Sequence, residues 1–280
     1  MGKLKTYIKR GLKYIHTGAP NVTIHVDMAQ VQYGGMLADK HVLITGGTRG
    51  LGFAIAKRCV EEKAMVTITG RTMEGLTATK EKLGNPENLF LLAHDIRNYD
   101  ADSKVVERAA ELMGGLDILL NNAGISIHGI SYATCSQQQW DDQMDTNLKG
   151  VYFMTQAFLK YYEAHKLQSG KILMMVSERG LYGDDVPYGL AKRALISYTE
   201  GLAVRLIRKG IRVNAIAPGV PATDMTGYSA EGDLYRQWAQ GRRVLLPEEI
   251  AEVALFMMSD AASCISGQVI ACNEANHLKP

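Results

Sequence analysis

The stretch Thr45-Gly46-Gly47-Thr48-Arg49-Gly50-Leu51-Gly52 constrains the chain more than any other segment. It follows His41-Val42-Leu43-Ile44, a short apolar run that reads as a buried strand. It precedes Phe53 to Glu62, where Ile55 with Cys59 and Ala56 with Val60 fall at helical spacing. Strand, glycine turn and helix in this order suit a phosphate group. The glycines let the backbone approach the ligand, and the helix N-terminus offers free N–H groups and the positive end of the dipole. A tight turn with no ligand carries the same local signature, so the rest of the chain has to decide.

At 280 residues, 46% of them hydrophobic and 21% charged, the chain can bury a sizeable core. A net charge of +2 gives no electrostatic case for nucleic acid. No apolar run approaches the roughly 18 residues of a membrane-spanning helix. Cys59, Cys135, Cys264 and Cys272 are widely spaced and form no CxxC pair. They read as reduced structural residues of a cytoplasmic protein, and no metal site is expected.

Residues 1–38 stand outside the pattern that follows. Leu4, Ile8, Leu12 and Ile15 recur at helical spacing among Lys3, Lys5, Lys9, Arg10 and Lys13. This is a short basic amphipathic helix, interrupted by Gly11, that packs on its own domain or on a neighbouring subunit; contact with a membrane surface is the alternative. Its apolar and basic residues are interleaved, unlike a signal peptide. The stretch from Val22 to Val26 alternates like an edge strand or an arm laid across a partner.

From His41 onward strands alternate with helices. The expected strands are His41–Thr45, Met65–Thr69, Leu89–Ala93, Asp117–Asn121, Lys171–Ser177, Ile211–Ile216 and Gln268–Cys272. Such alternation implies an α/β fold: one Rossmann-type domain over residues 39–280, a doubly wound, mostly parallel seven-stranded sheet with helices on both faces. Crossovers are right-handed, and a ligand sits beyond the carboxyl ends of the strands at the topological switch point.

Arg71 lies just past the second strand, where the adenosine ribose arrives in a dinucleotide fold. An acidic residue there would bind the 2′-hydroxyl of NAD; an arginine accommodates a 2′-phosphate. Arg49 adds a second cation nearby, and a guanidinium's planar donor fork suits phosphate. The preference is therefore NADP(H), with NAD(H) possible. Asn121 ends the fourth strand and either fixes the sheet or contacts the cofactor.

Tyr188-Gly189-Leu190-Ala191-Lys192 opens a helix continued by Ala194, Leu195, Tyr198 and Leu202, so Tyr188 and Lys192 share a face at i,i+4. A tyrosine of pKa about 10 is a poor base at neutral pH. A lysine charge about 4 Å away is worth on the order of 4 kcal/mol at an effective dielectric near 20, which lowers that pKa by up to roughly 3 units, toward about 7. Ser177 stands eleven residues before Tyr188 and can aim its hydroxyl at the same crevice.

Taken together, the chain resembles the short-chain dehydrogenase/reductases of the compact, non-extended type. The resemblance runs from about Asp39 to Asn273. It includes the glycine loop (Thr45, Gly46, Gly50, Gly52), Asn121 to Gly124, Asn147, Ser177, Tyr188 with Lys192, Pro218-Gly219 with Thr223, and Pro247 to Ile250. It implies a catalytic set of Asn147, Ser177, Tyr188 and Lys192. Tyr188 exchanges the proton, Ser177 orients the carbonyl oxygen, Lys192 lowers the tyrosine pKa and holds the nicotinamide ribose, and Asn147 supports a proton-relaying water. It implies cofactor contacts at Gly46, Thr48, Arg49, Gly50, Leu51 and Gly52, at Arg71, at Asp95 and Ile96, and at Asn122, Ala123 and Gly124. Further contacts are implied at Tyr188 and Lys192, and at Pro218, Gly219, Val220 and Thr223. It also implies a homodimer or homotetramer built on the helices around Leu148–His165 and Tyr188–Lys209.

Two departures from the family pattern stand out. Glu178-Arg179 follow Ser177 where smaller residues are common, facing either the substrate mouth or solvent. Asn273-Glu274-Ala275 replaces the usual Asp-Gly-Gly. The substrate loop, about residues 220–246, contains Met225, Tyr228, Tyr235 and Trp238, which suit an acyl, cyclic or sugar-like carbonyl or alcohol or else pack in the core. Many relatives with this look resemble 3-oxoacyl-acyl-carrier-protein reductases. The expected activity is interconversion of a ketone and a secondary alcohol with NADP(H). The alternative is a catalytically silent dinucleotide-binding sensor or scaffold, which would have lost at least one of Asn147, Ser177, Tyr188 and Lys192.

Overall fold

The computed structural model describes residues 34–278 together with Leu12. The expected amphipathic helix and the Val22–Val26 arm lie outside the described residues. The end of the extension belongs to the domain: Leu37 is fully buried, and the Gly35 and Met36 N–H groups donate to Glu62 Oε2 at 2.7 and 2.8 Å.

Each of the seven expected apolar runs forms a strand: β1 His41–Ile44, β2 Met65–Gly70, β3 Leu89–Ala93, β4 Ile118–Asn121, β5 Gly170–Met175, β6 Ile211–Pro218 and β7 Val269–Cys272. They make one parallel sheet in the order β3-β2-β1-β4-β5-β6-β7. The order reverses between β1 and β4, which opens a crevice at their carboxyl ends.

The helices are α1 Gly50–Glu61, α2 Met73–Lys82, α3 Asp102–Met113, α4 Gln137–Met144, α5 Gly150–Ala164, α6 Pro187–Leu206 and α7 Pro247–Met258. Because strand side chains alternate, β1 sends Val42 and Ile44 to one face and Leu43 to the other. The first face packs Ile55 and Cys59 of α1 and Ile250 and Ala254 of α7. The second packs Val106 of α3, Phe158 of α5 and Leu195 of α6. Burial on both faces is why the strands read as continuous apolar runs. Each large apolar side chain taken fully out of water contributes about 1.5–3 kcal/mol.

Two local features position the site. Gly52 sits where a Cβ would run into the Gly46 carbonyl oxygen and the Asn122 side chain, so only glycine lets α1 start against the glycine loop. Between α4 and α5 the helix widens into a π-helical turn, Asp145–Lys149, which carries Asn147.

Beyond β7 the backbone turns left-handed at Glu274 (φ 48°) and Ala275 (φ 63°), the positions of the family's glycines. Such a conformation costs an L-residue roughly 1–2 kcal/mol. Ala275 is exposed and its side chain fills no core space. Ala275→Gly is therefore expected to raise the free energy of unfolding by about 0.5–1 kcal/mol, read from the denaturant midpoint; a fall would show that the turn is not strained.

Candidate active site

A cleft of about 400 Å³ lies over the carboxyl ends of the strands. One end is lined by Gly46 and Thr48 to Gly52 of the glycine loop. The Arg49 side chain does not cap α1, and the helix's first residues line the cleft, leaving its N-terminal amides for a ligand. Past β2, Gly70 and Arg71 line the same cleft, with Asp95 and Ile96 past β3 beside them. Asp95 is taken up by Arg97, whose Nη2 lies 2.8 Å from its Oδ2, and this guanidinium holds the carboxyl below its usual range. Arg49 is exposed and pairs with Asp224 of the substrate loop at 3.8 Å.

The expected residues at the end of β4 divide. Asn122, Ala123 and Gly124 line the cleft. Asn122 Nδ2 donates to the Thr45 and Gly46 carbonyl oxygens at 3.0 and 2.8 Å, while Thr45 Oγ1 accepts the Asn122 and Ala123 N–H groups. Asn121 instead is buried in the core layer and donates to Thr155 Oγ1 at 2.9 Å, so its role is to fix the sheet.

The catalytic half of the cleft joins three elements. Ser177, two residues past β5, is 7% exposed and lines the cleft with Tyr188 and Lys192, which α6 presents one turn apart. Pro187 starts that helix, where a missing N–H is harmless. Lys192 Nζ donates to the Met175 carbonyl oxygen at 2.8 Å and lies 5.7 Å from the Tyr188 ring centroid. Asn147 is fully buried and clamps Ile125, accepting its N–H and donating to its carbonyl, each at 2.8 Å. Gly124 borders both side chains: a Cβ there would lie 3.0 Å from Asn147 Oδ1 and 3.6 Å from Lys192 Nζ.

The expectation that Lys192 draws the tyrosine pKa toward neutrality does not match this arrangement. Burial pushes the Tyr188 phenol above its ordinary value, against the pull of the Ser177 hydroxyl and the Arg179 charge. Burial also pushes Lys192 down, to about 8. For both groups burial is the largest cause of the shift.

Glu178 is not a surface residue. It is 5% exposed, and its carboxylate accepts from Asn273 Nδ2 at 2.9 Å and Asn276 Nδ2 at 3.1 Å, tying the segment after Ser177 to the C-terminal turn. Pro218, Gly219 and Thr223 line the cleft as expected. Val220 does not; its carbonyl accepts the Leu245 N–H, and the residue lines a small hollow with Trp238 and Arg243. Of the loop aromatics none is core: Trp238 is 54% exposed, and the Arg236 guanidinium lies over Tyr228 at 4.0 Å. Met225 lines the cleft, and its carbonyl is bonded to His128 Nε2 at 2.7 Å. Residues that periodicity could not single out also line it, among them His94, Arg97 and Thr146. His94 is locked to buried Asp102 at 2.9 Å.

A family model described as Enoyl-(Acyl carrier protein) reductase matches residues 46–274. The 3-oxoacyl-acyl-carrier-protein reductase FabG of Chlamydia trachomatis is 36% identical over 245 residues, covering 84% of this chain and 96% of that protein. A 3-ketoacyl-acyl-carrier-protein reductase from Brucella melitensis, complexed with NADH, is similar with a TM-score of 0.79 at 28% identity, covering 86% of this chain and 100% of that one. ElxO with NADP bound is similar with a TM-score of 0.78 at 27% identity, covering 85% and 98%. With the glycine loop, Ser177, Tyr188 and Lys192 on one cleft, the chain belongs to the short-chain dehydrogenase/reductase family of oxidoreductases.

Proposed function

We propose that the protein is an NADP(H)-dependent carbonyl reductase whose substrates are 3-oxoacyl thioesters, reduced at the ketone to the secondary alcohol. The observation that carries the reading is the cleft itself, with phosphate-binding features at one end and Ser177, Tyr188 and Lys192 at the other. The residues fit a dinucleotide. The glycine loop and the start of α1 would take the pyrophosphate, and Asp95 and Ile96 would flank the adenine. Arg49 and Arg71 would meet a 2′-phosphate; no acid stands at the end of β2 to bind a 2′-hydroxyl instead.

When bound, NADPH supplies the hydride. The chain's own residues handle the oxygen. Ser177 donates to the substrate carbonyl and fixes its direction. Tyr188, whose half-buried phenol is pushed above its ordinary value and keeps its proton at neutral pH, gives that proton to the oxygen as negative charge builds. Lys192 holds the nicotinamide ribose and stabilises the tyrosinate that is left, and Asn147 supports proton return to Lys192. Retention of all four residues speaks against a silent sensor. Ile125 and Met225 give the substrate end apolar walls suited to an acyl chain, and the relative from Chlamydia trachomatis is named for that substrate class.

A panel of 3-oxoacyl thioesters, cyclic ketones and sugars, assayed with NADPH and NADH, tests the assignment: the thioesters should be turned over fastest, and with NADPH. Tyr188→Phe should lower turnover by roughly a hundred- to ten-thousand-fold while NADPH binding stays nearly unchanged, and substantial residual activity would sink the role of Tyr188. Arg71→Ala should weaken NADPH by roughly ten- to a hundred-fold and NADH little. Equal loss for both cofactors would show that Arg71 does not read the 2′-phosphate.

A further inference from the structure

Two cations flank the Tyr188 ring. Lys192 Nζ lies 5.7 Å from its centroid and Arg179 Cζ lies 5.9 Å away. Lys192 is turned to the Met175 carbonyl. Arg179 is held by a carboxylate fork: its Nε and Nη2 donate to Asp184 Oδ2 and Oδ1 at 2.5 and 2.8 Å. The Asp184 side chain is 4% exposed and that of Arg179 38%. Asp184 Oδ1 also accepts the Val186 N–H at 3.1 Å, just before Pro187 opens α6. Gly189, the residue after Tyr188, makes room for this carboxylate, since a Cβ there would collide with it. The segment from 179 to 189 thus places an oppositely charged pair beside the tyrosine.

We propose that Arg179, held by Asp184, is a second cationic partner of Tyr188 that favours its phenolate form, and that Asp184 limits how much of this charge the tyrosine feels. The inference rests on Tyr188 being the general acid–base. Arg179 acts through Tyr188 and is a positioning residue. The charged groups that bear on the phenol are Arg179, which favours ionisation, and Asp184 and Glu178, which oppose it, with Lys192 on the tyrosine's own helix and Ser177 as its hydroxyl neighbour. Arg179 lies 5.9 Å from the ring centroid rather than from the oxygen; a bare charge about 6 Å from the oxygen would move the titration of a phenol by up to roughly two pH units at an effective dielectric near 20, and a bonded counter-ion reduces this. Losing Arg179 and losing the Asp184 charge must therefore act in opposite directions. A pair that merely pins the 178–186 segment would give the same sign for both.

The full-length protein, labelled with carbon isotope at the tyrosine ring, reads the titration directly by NMR without any substrate; the Tyr188 signal is the one missing from Tyr188→Phe. Arg179→Met should raise the Tyr188 midpoint by about one pH unit, Asp184→Asn should lower it by a similar amount, and Arg179→Lys should stay near the unchanged protein. Shifts of the same sign in Arg179→Met and Asp184→Asn, or none in either, would overturn the proposal. If Asp184→Asn does not fold, the arginine variants decide alone: equal midpoints in Arg179→Met and Arg179→Lys overturn it. If the midpoints move as stated while Tyr188→Phe keeps turnover, the charge pairing stands and the catalytic assignment of Tyr188 falls.

Discussion

At the crevice between β1 and β4 the ends of the two strands are joined by side chains. Thr45 Oγ1 accepts two backbone N–H groups from the end of β4, and Asn122 Nδ2 returns two bonds to the start of the glycine loop. These bonds hold open the place where strand order reverses and set the loop against the first turn of α1. Gly52 is part of the same joint, because any side chain there would strike Gly46 and Asn122. The phosphate end of the cleft follows from this joint. Its other end follows from β5 and α6, which carry Ser177 and the Tyr188–Lys192 turn to the same side of the sheet.

Within the catalytic half, desolvation competes with charge. Lys192 is buried and Tyr188 half-buried in the wall of the cleft, and desolvation raises the phenol and lowers the ammonium to about 8. A phenol that keeps its proton suits the donation to a carbonyl proposed for it. Lys192 still carries its proton at neutral pH, ready for a ribose or a tyrosinate. The arginine–aspartate pair beside the ring and the nearby Glu178 carboxylate add a local field, in which Glu178 and Arg179 are departures from the family pattern.

The sheet was legible because each strand is buried on both faces and bounded by a turn; the runs beginning at His41, Met65 and Leu89 coincide with β1, β2 and β3 at their first residues. The Tyr188–Lys192 face was legible because helical spacing is local. What escaped depends on partners far along the chain. Glu178 reads as a surface charge until Asn273 and Asn276 arrive from the C-terminal turn. Arg179 reads the same way until Gly189 admits Asp184 beside it. Val220, placed among the cofactor contacts by the family resemblance, lines a separate hollow, with its carbonyl bonded to the Leu245 N–H. The left-handed turn survives at Glu274 and Ala275 although its glycines are gone, with Glu274 held by Arg243 at 2.8 Å.

The central claim is that this cleft delivers hydride from NADPH and a proton from the protein to one carbonyl. Following the label from NADPH deuterated at the transferable nicotinamide position, with a 3-oxoacyl thioester in ordinary water, tests it most directly. The account predicts one deuterium on the carbinol carbon of the product and none at the oxygen. Product carrying no deuterium at that carbon, or no product from any ketone while NADPH still binds, would contradict it.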